Sequence, residues 1–551
     1  MMLSAMESAT KYGSTGIQYL PKECWTSHTE LTLDLYSAVG EAEGYLGNVE
    51  SMEFYCNAII ERNEVTLLDK ARAYNVVIDS VANRNKVVKA KNLCMDVLAK
   101  LDCTFPKNPI VRRFQIKSGL KDLQQKASCR TLTELSKATL MEDPLKLEAM
   151  KLLEKLATYC FITNDWDLYH LVVLREVRWT DCYGLNENSA HGYSCAGLIL
   201  TSMVGDFRKG SVYGEYALLV MDRLQIKRLV AATKFVVYSF VLHWTKPSQL
   251  TVRPLLESYE SGMQAGNVEY AMYGAHGYLL TLFAVGRPLE TLERDCMEYT
   301  QQMAEFNRDF VRTEICCIWQ TVRNLMTPSE DPCGMTGGVI ADEHFLPTAS
   351  PFLAEFIKFY QRYLCSLFGR HQQVAELATG NEGLLPMLHA VPGSIQLLLE
   401  ALGTGVSLFA AARQTKNSRY KKAGMRVLTT VKRWVEKGNP NARHIEALLE
   451  AEKLAAWNGS VHVAKKNFEV AIALASRGGF IQDAAFAYER YGDFLMDHSE
   501  EDAAFHIGEA IRLYREWGAG AKVAYLEAKY TTMVFKSPAE IAFINRSESN
   551  S

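Results

Sequence analysis

Proline is scarce in this chain, at 15 of 551 residues, and it is missing altogether between Pro144 and Pro247 and between Pro440 and Pro538. Proline removes a helical hydrogen bond and clashes with the preceding turn, so such windows are open to long helices. A surplus of one charge is missing too: 60 Lys and Arg stand against 63 Asp and Glu, and the pI is near 6.5. That excludes the global basic field that phosphate binding uses, and no nucleic-acid partner is expected. Long apolar runs are absent; the most apolar stretch, Phe235 to Trp244, is only ten residues, about half of what a bilayer needs. No membrane insertion is expected, and MMLSAMESATKYG at the N-terminus lacks the basic and apolar segments of a secretory signal. The 13 Cys, an odd number scattered from Cys24 to Cys365, do not form a dense disulfide framework. Reduced thiols in a cytoplasmic protein are the simpler expectation, and the sequons at Asn458 and Asn545 read as chance.

What the chain does have is helical periodicity. The proline-free windows are rich in Ala, Leu, Glu and Lys, with apolar residues recurring at three and four. Helices are expected to stop at Gly or Asn and restart at Gly47-Asn48, Gly205-Asp206, Gly266-Asn267, Gly286-Arg-Pro288, Gly369-Arg370 and Gly459-Ser460. Short connections make neighbouring helices antiparallel. Near the C-terminus an offset of 39 residues pairs Ala464 with Ala503, Ala471 with Ala510, Gly479 with Gly518, Ala485 with Ala524 and Tyr491 with Tyr530. Small residues at close approaches and an aromatic filling each gap follow tetratricopeptide (TPR) logic, with a period longer than the standard 34. The expected fold is all-α, a right-handed α-solenoid of TPR-like hairpins. Its parts read as N-terminal hairpins over 1–101, an irregular connection over 102–145 and central hairpins over 146–326. A flexible loop over 327–351, C-terminal hairpins over 352–533 and a tail over 534–551 follow.

Motifs that carry chemistry are sparse. No phosphate-binding loop of the G-x-x-x-x-G-K-[ST] type occurs, and Gly403-Thr-Gly405 lies in a helical pattern, where close packing explains it. Asp165, Asp167 and His170 come nearest to a ligand or acid–base cluster, yet Asp165 and His170 fall on different helical faces, and Asn164 or Asp165 reads as a helix cap. Cys316-Cys317 read as buried thiols rather than a redox pair. Between Arg413 and Lys437 nine basic residues face one acid, Glu436, which reads as a solvated helix face with an anionic partner as the alternative. No catalytic, cofactor-binding or metal-binding residue is assigned, and no cofactor is expected.

Three C-terminal stretches carry a resemblance: Pro440-Asn441 with the helix around Ala451-Glu452, the run Tyr514-Arg-Glu-Trp517-Gly518-Ala519-Gly-Ala521-Lys522-Val523, and Leu526 with Tyr530. They resemble the helical-repeat region of large signalling proteins of the predicted-ATPase family. There the repeats lie between a Ser/Thr-kinase-like and AAA-type ATPase portion and a GAF and sensor histidine kinase portion. Trp25, the Leu101 to Pro106 turn, Ser189 to Tyr193, Val204-Gly205-Asp206, Trp244 and Gly266-Asn267-Val-Glu-Tyr270-Ala271 follow the same order, so the likeness runs from about Tyr12 to Tyr530. The Walker loop, kinase signatures and phosphoacceptor region of that family are absent, so none of those activities transfers. The resemblance implies either a free-standing repeat protein or a piece of a longer one.

The function expected is therefore a non-catalytic scaffold that binds protein partners, kinase, ATPase or sensor modules by resemblance, and couples them. A regulatory subunit acting in trans on a separate ATPase or kinase is the alternative of the same class. An all-α enzyme with a pocket near Asp165, Asp167 and His170 is the alternative of another class. Trp517 is expected to plug the seam between hairpins while Gly518 ends its helix.

Overall fold

A computed structural model describes residues 2–84, 86–306, 309–340, 351–380, 383–457, 459–498 and 502–531. Among them there is no β-strand, only a lone bridge between Leu140 and Leu185. The longer helices are α1 (Met2–Gln18), α2 (Thr29–Leu46), α3 (Val49–Ile60), α4 (Leu67–Asn83), α5 (Val87–Lys100), α6 (Pro109–Cys129), α7 (Pro144–Ile162), α8 (Trp166–Tyr183), α9 (Glu187–Leu198), α10 (Phe207–Arg223), α11 (Val230–Val236) and α12 (Val252–Ala265). They continue as α13 (Val268–Ala284), α14 (Leu289–Glu305), α15 (Asp309–Met326), α16 (Pro351–Leu367), α17 (His371–Thr379), α18 (Gln396–Thr415), α19 (Ser418–Glu436), α20 (Arg443–Ala456), α21 (Val461–Gly478), α22 (Ile481–Met496), α23 (Ala503–Trp517) and α24 (Gly520–Lys529). Neighbours in sequence pack as antiparallel pairs, and pairs stack on the next but one, as α18 does on α20. This is the all-α helical-repeat arrangement of a solenoid.

The chain forms two compact units, Met1–Ala196 with Tyr216–Gln225, and Gly197–Glu215 with Ile226–Ser551. The division falls inside the stretch expected to hold the central hairpins.

In the first unit, α4 and α5 lie directly against α7. Asn75 donates to Glu148 at 2.6 Å, Lys155 pairs with Asp79 at 2.7 Å and Lys91 with Asp165 at 2.8 Å, so each link bridges about 75 residues. The segment 102–145 is not the irregular connection that its prolines suggested. Pro109 and Pro144 each occupy the first turn of a helix, where the missing N–H costs nothing, behind the caps Asn108 and Asp143. Proline here starts helices instead of breaking them. Between those caps α6 is looped out of the stack and rests on α8. Gly119 admits the Leu174 side chain, which a Cβ would meet at 2.6 Å, and Leu123 is buried.

In the second unit the hairpins run α12–α13, α14–α15, α18–α19, α20–α21 and α22–α23. Beyond the neighbour contacts of a simple repeat array, hairpins here also meet partners far away in the chain. Asn441 donates to the carbonyls of His243 and Lys246 and accepts from the Ser248 N–H. Gln482 donates to the Ala284 carbonyl at 2.7 Å and Trp517 to the Arg287 carbonyl at 3.1 Å. Gly520 lies against the Met326 carbonyl, and the Lys522 ammonium donates to the Leu367 carbonyl. These links join residues some 155 to 230 positions apart in matching chain order. The later hairpins therefore lie alongside the earlier ones, and helix ends supply the contacts because their last carbonyls are free.

Of the expected turn glycines, Gly47, Gly205, Gly266, Gly286 and Gly369 take left-handed φ between 69° and 81°, whereas Gly459 does not. In the 39-residue repeat, Gly479 and Gly518 are both left-handed caps, and the pairs 464/503, 471/510 and 491/530 are all buried. The repeat fails at its fourth pair: Ala485 is buried and Ala524 exposed. In the part of the expected 327–351 loop that is described, Cys333, Met335 and Ile340 are buried, and Asn324 and Gln320 hydrogen-bond to Gly334 and Val339. The rest of that loop, 341–350, and the expected tail lie outside the described residues.

Candidate functional site

The residues weighed for chemistry do not assemble. Asp165 caps α8 through the Leu168 N–H at 3.3 Å and pairs with Lys91. His170 bonds back to the Trp166 carbonyl one turn earlier, burial pushing its imidazole below the ordinary value, and Asp167 is exposed. Gly403 and Gly405 sit inside α18, close against Ser366 and Leu449 where helices cross. Cys316 and Cys317 are buried on α15, and burial pushes the Cys316 thiol up to about 11. Trp517 is 1% exposed, and Gly518 follows it in left-handed conformation. Its indole fills a gap against Phe283 and the start of α14 rather than a seam between consecutive hairpins alone.

Sequence reading missed a thiol–imidazole–carboxylate set. His191 and Cys195 stand one turn apart on α9, with Nε2 3.5 Å from Sγ, and Glu176 of α8 lies 3.8 Å from His191 Nδ1. The elements are those of a nucleophile, a base and an orienting acid. All three are 3% exposed or less, and burial raises the Glu176 carboxyl, so the set is sealed from any substrate. The i, i+4 spacing of His191 and Cys195 was the available signal; Glu176 had none, since only packing brings α8 to it. A similar sealed pair joins His276 and Glu314 at 3.8 Å, with burial lowering the imidazole to about 4 and raising the carboxyl to about 8.

The densest polar cluster is also interior. Arg490 binds Glu452 at 2.7 Å and Asp493 at 2.6 Å and faces His371, which in turn bonds Ser407. Beside it Glu489 takes Lys522 at 2.8 Å and the Tyr514 hydroxyl at 3.1 Å. The Lys522 ammonium also faces the rings of Tyr525, Tyr514 and Phe368 at 4.8, 5.4 and 5.7 Å. Burial opposes ionisation of Asp493, but Arg490, Lys529 and the Tyr530 hydroxyl outweigh it and hold the carboxyl near 2. The cluster is satisfied internally and ties α17, α18, α20, α22 and α24 together.

Two features of the second unit meet solvent among the described residues. A cleft of about 290 Å³ lies between helix-end turns, lined by Gln249, Gly286, Arg287, Gly479, Glu516 and Trp517 among others; it is at the small end of ligand-site volumes. On α19 the basic run resolves into an exposed stripe of Lys422, Arg426 and Arg433, with Arg419 at its start donating to the Thr379 carbonyl. Other members are engaged: Arg413 with Asp497, Lys432 with Glu450 and Lys421 over the Trp457 ring. Among the described residues no group of three or more His, Cys, Asp or Glu could hold a metal ion, and no helix is long and apolar enough to cross a membrane.

No family model and no curated protein matches the chain. Among solved structures it is similar to a "circular tandem repeat protein with novel repeat topology and enhanced subunit contact surfaces", at 11% identity over 94% of this chain and 98% of that one. The TM-score is 0.15, too low to bear on fold or function.

Proposed function

We propose that this protein is a non-catalytic TPR-like scaffold that binds protein partners and couples signalling modules of the ATPase and kinase type. One observation carries the reading: among the described residues the Glu176–His191–Cys195 and His276–Glu314 groups are sealed, while a stacked-hairpin array presents exposed helix faces. Repeat arrays of this kind use extended surface to recognise other proteins. The choice of ATPase and kinase partners rests on the resemblance of the C-terminal hairpins and carries over no activity of that family.

The test mixes the purified chain with the recombinant ATPase and kinase portion of a family member. A complex in sedimentation velocity, together with altered ATP turnover by that portion, is expected. Unshifted sedimentation and unchanged turnover would overturn the proposal.

A further inference from the structure

The helix that the prolines disguised, α6, carries an outer face that the packing of its unit does not use. It is held at its C-terminal end: Leu123 is buried, Lys126 pairs with Asp181 at 2.8 Å and Asp122 at 2.7 Å, and Arg130 pairs with Asp181 at 2.7 Å. Its first three turns face solvent. Ile110 is 78% exposed and Phe114 73%, and Lys117 and Lys121 continue the same line at helical spacing, with Arg113 beside it. Lys107, Arg113, Lys117 and Lys121 have no ionic or hydrogen-bond partner among the described residues. The unit's stack does not need this surface, because α5 already lies against α7 without it.

We propose that the outward stripe of α6 is a docking surface for an acidic amphipathic segment of a partner protein. Apolar side chains of the partner cover Ile110 and Phe114, and its carboxylates meet Lys117, Lys121 and Arg113. The layout favours a protein over a lipid surface. A helix lying on a membrane runs its apolar stripe along its whole length with cations at the flanks. Here apolar and basic residues follow one another along a single line, which matches a partner whose own residues change from apolar to acidic in the same way. The inference rests on the scaffold reading and names one of its contact surfaces.

The probe is a fluorescein-labelled amphipathic peptide of about 18 residues, long enough to form a helix on contact, with Leu at one end of a face and Glu at the other. Fluorescence anisotropy with the full chain should show binding that weakens as salt rises. Phe114→Ser and the double change Lys117→Glu with Lys121→Glu should each weaken it by at least about tenfold. Lys422→Glu with Arg426→Glu on α19 should leave it unchanged. All these positions are exposed, and circular dichroism confirms that each variant is folded. Equal loss in the α19 variant, or none in the α6 variants, overturns the proposal. So does wild-type binding to phosphatidylserine vesicles with no binding of the peptide. If the α6 variants still form the complex with the ATPase and kinase portion and bind the peptide as wild type, this surface alone is refuted; if the wild type forms neither complex, the scaffold reading falls with it.

Discussion

The two units are built from the same hairpins but bound together at different ranges. In the first unit the polar links between helices reach 88 residues, from Arg223 to the Leu135 carbonyl, and include half-exposed pairs such as Lys155 with Asp79. In the second they reach 198 residues from Gln482 to Ala284, between buried groups, and 230 from the buried Trp517 indole to the Arg287 carbonyl. A repeat array with neighbour contacts only gains stability pair by pair. One that also returns alongside itself makes each helix end answer to two neighbourhoods. The second unit is therefore expected to lose distant protection when a single long-range link is cut, and the first is not.

Trp517→Ala gives the sharpest break in that contrast. Removing the buried indole should destabilise by about 3 to 5 kcal/mol in urea. Hydrogen exchange should then speed up around 284–290 as well as in α23. A loss confined to α23 would show that the second unit behaves like the first. Asn441→Ala comes next, at about 2 to 3 kcal/mol, because it leaves the carbonyls of His243 and Lys246 and the Ser248 N–H without their partner.

Asp493 sharpens the contrast through pH. Its folded carboxyl is held near 2, below the ordinary 3.8, so its contribution is fully present above about pH 4 and is lost as pH falls toward 2. Between pH 5 and pH 2 the wild type should lose about 2 kcal/mol more than Asp493→Asn in parallel urea titrations. Equal slopes would mean that the Arg490 cluster does not hold the carboxylate. The smallest effect belongs to the first unit: Lys155→Ala should cost less than about 1 kcal/mol, since its partner Asp79 is 51% exposed. A cost of several kcal/mol there would erase the distinction.

Helix and turn positions were largely readable because they depend on residues close in sequence. α22 runs from Ile481 to Met496, just after the left-handed Gly479, and Gly518 stops α23 as expected. The misreading of 102–145 came from treating proline as punctuation, when Asn108 and Asp143 make Pro109 and Pro144 helix starts. Asp165 was readable as a cap. The grouping of Glu176 with His191 and Cys195, or of Glu452 with Arg490, was not, because each needs helices that only packing brings together.

The sequence by itself determined that this protein is helical, where most helices stop, and which small residues mark close crossings, all consequences of local backbone preference and period. The tertiary structure decided which hairpins meet across nearly two hundred residues, which titratable groups are sealed, and which way α6 faces. Those depend on the summed angles between successive helices, and a small rotation at each hairpin, invisible in any local pattern, decides what the chain meets when it returns.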